Sequence, residues 1–140
     1  MYITCLDLEG VLVPEIWIAF AEESGIPELK RTTRDEPDYD KLMKWRIGVL
    51  KEHGLGLKEI QETIAKIDPL PGAKEFLDKL RKECQVIIIS DTFTQFAGPL
   101  MEKLGQPTIF CNSLEVAADG EITGFKMRVE NSKLTTVKAL

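Results

Sequence analysis

The chain has 140 residues, of which 44% are apolar and 29% charged, so it can bury one globular core and is neither disordered nor fibrous. Its 18 basic and 23 acidic side chains give a formal net charge of −5, which argues against nucleic acid and anionic membranes as partners. No apolar run reaches the ~20 residues of a membrane helix, and three scattered cysteines do not suggest disulfides, so we expect a cytoplasmic protein.

The first third of the chain predicts one strand followed by helices. Tyr2 to Leu6 favours a β-strand, which the acidic residues and glycine of Asp7-Leu8-Glu9-Gly10 should end. Apolar periodicity and glycine stops then predict helices over residues 15–24, 39–53 and 57–67. This pattern indicates an all-helical segment that is inserted directly after the first strand.

The remaining residues alternate between helix and strand. After a proline-rich break at 68–72, the pattern predicts helices over 73–82 and 93–104 and strands over 86–89 and 108–111. A turn at 118–120 between apolar runs at 114–116 and 122–129 predicts a β-hairpin flap, and Asn131-Ser132 predict the cap of a helix that begins at Lys133. The fold class predicted is therefore α/β, with a parallel sheet.

Carboxylates must carry any chemistry, because His53 is the single histidine and therefore no multi-histidine metal site is available. Asp7 and Ser90 follow two predicted parallel strands, whose carboxyl ends meet at one edge of the sheet. An aspartate there can attack phosphorus, and Glu9 can serve as acid and base. An acidic pair after a strand also occurs as a solvated turn, so the spacing alone leaves both interpretations open.

Three segments carry a family resemblance. Asp7-Leu8-Glu9-Gly10-Val11, Ser90 after an isoleucine-rich strand and Lys133 at a helix start resemble, in order and context, the first three motifs of the haloacid dehalogenase-like (HAD-like) hydrolases. Residues 5–15 and 90–93 are similar to the phosphoserine phosphatase group, and within it to the phosphoserine:homoserine phosphotransferases. The resemblance implies a Rossmann-like core of residues 1–14 and 69–140, with a helical cap of residues 15–68.

The same resemblance implies a role for each motif residue. Asp7 would be the nucleophile and a Mg²⁺ ligand, and Glu9 the acid/base and a second ligand through its main-chain carbonyl. Ser90 would donate to the phosphate, and Lys133 would pair with its charge. The implied reaction transfers the phosphoryl group of O-phosphoserine to water or to homoserine.

The chain departs from the family pattern in three places. Glu9 stands where most members have aspartate, and Asp91 follows Ser90 where glycine is common, which adds a carboxylate to the substrate site and leaves water and homoserine open as acceptors. Family members continue into a strand that ends in Gly-Asp-x-x-x-Asp or Gly-Asp-x-x-x-Asn and supplies further Mg²⁺ ligands. Nothing after Lys133 matches it, so we expect the C-terminal part of the core to be missing and Mg²⁺ to be held weakly.

Arg46 lies on the apolar stripe of its predicted helix, together with Leu42, Val49 and Leu50. A guanidinium there needs an anion, unless its stem packs while its head reaches solvent or pairs with a carboxylate of the helical segment. The resemblance favours the first alternative: Arg46 would bind the α-carboxylate of O-phosphoserine, and Glu15 its ammonium group.

Two other functions stay open at this stage. One is a receiver-like module that is phosphorylated on Asp7, although the long insertion after the first strand argues against it. The other is a weakly active or inactive fragment that acts as an interaction protein, with an unpaired edge of the first strand that invites a homodimer. Trp17 and Phe20 are expected in the core of the helical segment and outside the site.

Overall fold

The computed structural model describes residues 2–140 and confirms the predicted order of elements. A short 3-10 turn at Pro27–Lys30 follows the first helix. The strands and helices are β1 (Ile3–Leu6), α1 (Ile16–Ser24), α2 (Tyr39–Glu52), α3 (Leu57–Ile64), α4 (Ala73–Glu83), β2 (Gln85–Phe93), α5 (Thr94–Lys103), β3 (Thr108–Val116), β4 (Ile122–Lys126) and α6 (Ser132–Ala139).

The four strands form one sheet in the order β1-β2-β3-β4. β1 pairs with β2 and β2 with β3 in parallel, whereas β3 and β4 form the antiparallel hairpin. The apolar side chains of Val86, Ile88 and Ile89 are buried, as expected for the central strand of a sheet that is covered on both faces. The α/β prediction is confirmed, and within residues 2–140 β1 has one unpaired edge, also as predicted.

Two strands are longer than their sequence patterns indicate. β2 continues through Phe93 instead of ending near Ser90, with a register shift between Ile89 and Phe93. β3 unites the predicted strands at 108–111 and 114–116, because its first half pairs with β2 and its second half with β4. Asn112 lies buried in the middle of β3, where its side chain donates to the Asp91 carbonyl (3.2 Å) and accepts from the Arg128 amide (2.8 Å).

We call α1 to α3 the helical insert. It packs on α5 through an aromatic cluster in which the Trp17 and Phe96 rings lie 4.9 Å apart. It also contacts the hairpin, because the Leu57 amide donates to the Gly120 carbonyl at 2.7 Å. A side chain at Gly56 would come within 3.1 Å of that carbonyl, so glycine permits this close approach. The insert therefore lies against both the core and the hairpin.

Among residues 2–140, no helix combines the length and the apolar composition that crossing a membrane requires.

Candidate active site

Asp7 lies directly after β1, at the carboxyl end of the sheet. Its Oδ1 accepts from the Leu8 amide at 2.8 Å, and its Oδ2 lies 3.1 Å from Nζ of Lys133. Both side chains are half-exposed, at 42% for Asp7 and 55% for Lys133. The nucleophile and phosphate-pairing lysine expected from the sequence are thus brought together, although 126 positions separate them.

Glu9 lies in a tight turn between β1 and α1. Gly10, with φ of +78°, makes this turn possible, and its amide donates to the Val13 carbonyl at 2.7 Å. The Glu9 carboxylate accepts from the Ile16 amide at the start of α1 (3.3 Å). Burial is the main cause that raises the pKa of Glu9 above its ordinary value, and the nearby Asp7 adds to the effect. A carboxyl group with a raised pKa is suited to exchange protons near neutral pH.

Ser90 and Asp91 lie in the extension of β2. Ser90 is buried, and its Oγ accepts from the Thr92 amide at 3.2 Å. Asp91 accepts at 2.6 Å from the hydroxyl of Ser132. The predicted cap of α6 is corrected here: the Asn131 side chain makes no capping bond, and Ser132 lies inside the helix and holds Asp91. The reason is competition, since the Ser132 hydroxyl gains a charge-assisted bond to the carboxylate.

A cavity of about 260 Å³ lies between the strand ends and the helical insert. Glu9, Asp91 and Thr92 line it from the core side. Asp7, Ser90 and Lys133 are not among its lining residues, so the predicted site residues form two groups. Glu9 connects the two groups, because its charge interacts with Asp7 and also with residues of the insert. The remaining lining residues come from α1 and the residue before it, from the connection between α1 and α2, and from α2: Glu15, Ile16, Trp17, Ile18, Thr32, Thr33, Arg34, Tyr39 and Arg46.

Arg46 is the buried cation of this cavity, with only 5% of its surface exposed. Its guanidinium lies 4.6 Å above the Trp17 ring, donates to the Arg31 carbonyl at 3.0 Å and contacts the Met43 sulfur at 3.7 Å. Its buried Nε has no hydrogen-bond partner within residues 2–140.

Burial lowers the pKa of Arg46 to about 10, so the side chain stays cationic at neutral pH. The alternative in which the head of Arg46 reaches solvent or pairs with a carboxylate is wrong, because Arg46 is 5% exposed and, within residues 2–140, its guanidinium bonds to the Arg31 carbonyl and the Met43 sulfur. A buried guanidinium whose Nε has no partner within residues 2–140 favours binding of an anion in the cavity.

Glu15 lines the cavity at its open side. Its carboxylate lies 3.4 Å from Nη2 of Arg34, and both side chains are largely exposed. An ammonium group entering the cavity would have to replace this exposed ion pair, which costs little because such pairs contribute at most about 1 kcal/mol.

Sequence reasoning did not assign eight of the twelve lining residues to the site, and two of these eight, Trp17 and Tyr39, are aromatic. Trp17 is in the core, as expected, but it also lines the cavity, and the Arg46 guanidinium lies over its ring. Tyr39 lines the cavity from the same helix as Arg46. Its spacing of seven residues from Arg46 puts both on one helix face, and this signal was present in the sequence.

The two predicted metal ligands supply oxygen donors, namely the Asp7 carboxylate and the Glu9 main-chain carbonyl. Oxygen donors are what Mg²⁺ prefers, but its octahedral shell needs about six. Within residues 2–140, no group of three or more acidic, histidine or cysteine side chains is arranged to hold a metal ion. The donor chemistry therefore fits Mg²⁺, while these two residues complete only part of its shell.

No family model matches the chain. The chain is 57% identical over 139 residues to phosphoserine phosphatase ThrH of Pseudomonas aeruginosa, covering 99% of this chain and 68% of that protein. It is 53% identical over 137 residues to a phosphoserine phosphatase of Pseudomonas syringae pv. tomato, covering 98% of this chain and 58% of that protein.

A solved phosphoserine phosphatase, described as a phospho-aspartyl intermediate analogue, has the same fold. It superimposes with a TM-score of 0.72 at 23% identity and covers 99% of this chain and 72% of its own. The identity and coverage of the first Pseudomonas relative decide the assignment: the chain belongs to the phosphoserine phosphatase group of the HAD-like hydrolases.

Proposed function

We propose that this chain carries the phosphoryl-transfer site of a phosphoserine phosphatase that hydrolyses O-phosphoserine through a phospho-aspartate on Asp7. The observation that carries the proposal is the buried, incompletely paired guanidinium of Arg46, which shares a cavity with Glu9. Arg46 suits the anionic end of a substrate in this cavity, while Asp7 and Lys133, beside Glu9 on the core side, would receive the phosphate. The family relationship supports the choice of a phosphorylated amino acid.

The chemistry follows from the positions of Asp7 and Glu9. An Asp7 carboxylate oxygen attacks phosphorus, the bond from phosphorus to the serine oxygen breaks, and protonated Glu9 gives its proton to the leaving serine hydroxyl. Glu9 then takes a proton from water, whose oxygen attacks the phosphorus of the acyl phosphate. This step regenerates the Asp7 carboxylate and releases inorganic phosphate. Lys133 and Ser90 would neutralise and orient the phosphate throughout.

Substrate selection is assigned to the insert side. We propose that residues 15–68 form a cap on a core of residues 1–14 and 69–140. Arg46 would bind the α-carboxylate, and Glu15 would bind the ammonium group once this group replaces Arg34. Asp91, held by Ser132, adds a second carboxylate to the ammonium-binding surface.

Membership of this family implies a metal cofactor, and we propose Mg²⁺ because both predicted ligands are oxygen atoms. The Asp7 carboxylate and the Glu9 main-chain carbonyl would hold it. Bound there, the ion would supply positive charge that reduces the repulsion between the nucleophile and the phosphate.

Homoserine is the second candidate acceptor. Asp91 favours it, because this carboxylate stands where glycine is common in the family and can receive the ammonium group of a second amino acid. Water and homoserine would use the same phospho-aspartate and the same proton transfer to Glu9. Two further predictions remain separate from this chemistry: a cytoplasmic location, and a homodimer through the free edge of β1.

The test is to incubate the protein with O-phosphoserine and Mg²⁺, stop the reaction rapidly with acid and locate the phosphate by mass spectrometry. We expect phosphate on Asp7 and release of inorganic phosphate. With homoserine present, formation of O-phosphohomoserine would identify a phosphotransferase. Phosphate on any other residue would contradict the mechanism.

A further inference from the structure

Tyr39 opens helix α2 and lies seven residues before Arg46. Seven residues make about two helical turns, so both side chains project from one face of the helix. That face borders the cavity, which Tyr39 and Arg46 line together. Tyr39 has no role in the proposed chemistry described above.

The Tyr39 ring is fixed, whereas its hydroxyl is free. The ring packs edge-on against Phe125 of β4, with centroids 5.9 Å apart and planes at 88°. Within residues 2–140, the hydroxyl forms no hydrogen bond, although Tyr39 is half-buried and buried tyrosine hydroxyls usually find a partner. The structure therefore presents a positioned donor without an acceptor.

The groups that face Tyr39 show what kind of acceptor would suit it. Its charged neighbours are Arg46, Asp91, Glu9 and Asp40. Burial is the main cause that raises the pKa of Tyr39 to about 12, so its hydroxyl keeps its proton at neutral pH and acts as a donor. Because the surrounding carboxylates repel an anion, an anionic group in this cavity needs more than one donor.

Arg46 does not offer a fully free pair of terminal nitrogens, although its buried Nε has no partner within residues 2–140. One of its terminal nitrogens is already engaged by the Arg31 carbonyl and the other contacts the Met43 sulfur. A carboxylate accepts several hydrogen bonds and can take one from the guanidinium and one from a neighbouring hydroxyl. Phosphate is the less suitable partner, because the residues assigned to it lie on the core side.

We propose that the Tyr39 hydroxyl is a specificity-determining donor that binds the substrate's α-carboxylate together with Arg46. The inference rests on the proposed function, which supplies the carboxylate. It adds a neutral donor from the cap, held in place by the hairpin through Phe125.

The test uses two phosphonates that cannot be hydrolysed and differ only in the carboxylate: 2-amino-4-phosphonobutanoate and 3-aminopropylphosphonate. Binding of each is measured by calorimetry, with Mg²⁺ present, for the unmodified protein, Tyr39→Phe and Arg46→Ala. Tyr2→Phe is the matched control, because Tyr2 is the other tyrosine of the chain and is 85% exposed. The phenylalanine at position 39 keeps the ring contact with Phe125, and thermal unfolding of each variant checks the fold.

We expect Tyr39→Phe to weaken binding of the carboxylate-bearing phosphonate about 10- to 100-fold, as for loss of a hydrogen bond to a charged group. Binding of 3-aminopropylphosphonate should change by less than about 3-fold, and Tyr2→Phe should change neither. Unchanged binding in Tyr39→Phe, or an equal loss for both phosphonates, would overturn the inference while Arg46→Ala still tests the proposed function. If the unmodified protein shows no preference for the carboxylate, the proposed function itself fails.

Discussion

The core and the helical insert differ in how the charges of their predicted site residues are compensated. On the core side, Asp7 and Lys133 form an ion pair that is half-exposed to water. On the insert side, Arg46 is buried against Trp17 and has a carbonyl and a thioether as its polar neighbours. The charges on the core side are therefore solvated, so keeping them in the folded protein costs little free energy. The insert side keeps a buried charge without a bonded carboxylate, an arrangement that we expect to lower stability and to favour binding of an anion.

Asp7→Asn removes the carboxylate of the ion pair on the core side, and we expect it to have the largest effect. An amide is a poor nucleophile, so turnover of O-phosphoserine should fall more than about 10,000-fold, measured as phosphate release. Asparagine Oδ1 can still accept from the Leu8 amide, so the fold should persist. The matched control is Asp78→Asn, which removes another lysine-paired surface aspartate, and it should leave turnover unchanged. Substantial activity in Asp7→Asn would exclude Asp7 as the nucleophile.

Glu9→Gln examines the residue that connects the two sides. Glutamine Oε1 can still accept from the Ile16 amide, and the main-chain carbonyl is unchanged, but the side chain cannot exchange a proton. We expect kcat to fall about 100- to 10,000-fold and the phospho-aspartate to accumulate, detected by acid quench and mass spectrometry.

A suitable control for Glu9→Gln is Glu59→Gln, because Glu59 also accepts from a backbone amide, that of Gly56, away from the cavity. Its kcat should stay at the level of the unmodified protein. A raised KM with unchanged kcat in Glu9→Gln would make Glu9 a binding group.

Arg46→Ala removes the buried charge on the insert side. Loss of a charge-assisted contact with a carboxylate should cost about 2–4 kcal/mol, so kcat/KM for O-phosphoserine should fall about 30- to 1,000-fold. O-phosphoethanolamine lacks the carboxylate and should be affected little. Arg46→Lys should recover only part of the preference, because an ammonium group cannot reproduce the planar fork of the guanidinium.

The control for Arg46→Ala is Arg81→Ala, since Arg81 also donates to a backbone carbonyl but lies on the exposed surface of α4. It should change neither substrate. Equal losses on both substrates in Arg46→Ala, with a lowered melting temperature, would make Arg46 a structural residue.

The smallest effect concerns stability. If the charge of Arg46 is uncompensated in the free protein, Arg46→Met should raise the free energy of unfolding by about 1 kcal/mol, because methionine packs on Trp17 without a desolvation cost. Denaturant unfolding measures this change, and Arg81→Met should stay within about 0.5 kcal/mol of the unmodified protein. A fall of more than about 1 kcal/mol in Arg46→Met would mean that the bond to the Arg31 carbonyl outweighs the burial cost.

Local patterns in the sequence determined much of the fold. Helix periodicity, glycine stops and the Ala118-Asp119-Gly120 turn depend on residues close in the chain, and the structure confirms them. The same holds for Asp7, whose place at a strand end follows from the residues just before it. Arg46 on an apolar stripe signalled an unpaired cation, because a charge among buried residues is visible in the helical repeat itself.

Tertiary structure decided what depends on residues that are distant in sequence. The extension of β2 and the union of the two halves of β3 require partners on neighbouring strands, which no local pattern contains. The Ser132 hydroxyl does not cap α6 as predicted but donates to Asp91, 41 positions earlier, because this carboxylate is a stronger acceptor. The contact between the Arg46 guanidinium and the Trp17 ring likewise depends on how α1 and α2 pack. The sequence therefore identified a cation that needs an anion. The position where that anion can bind depends on the tertiary structure.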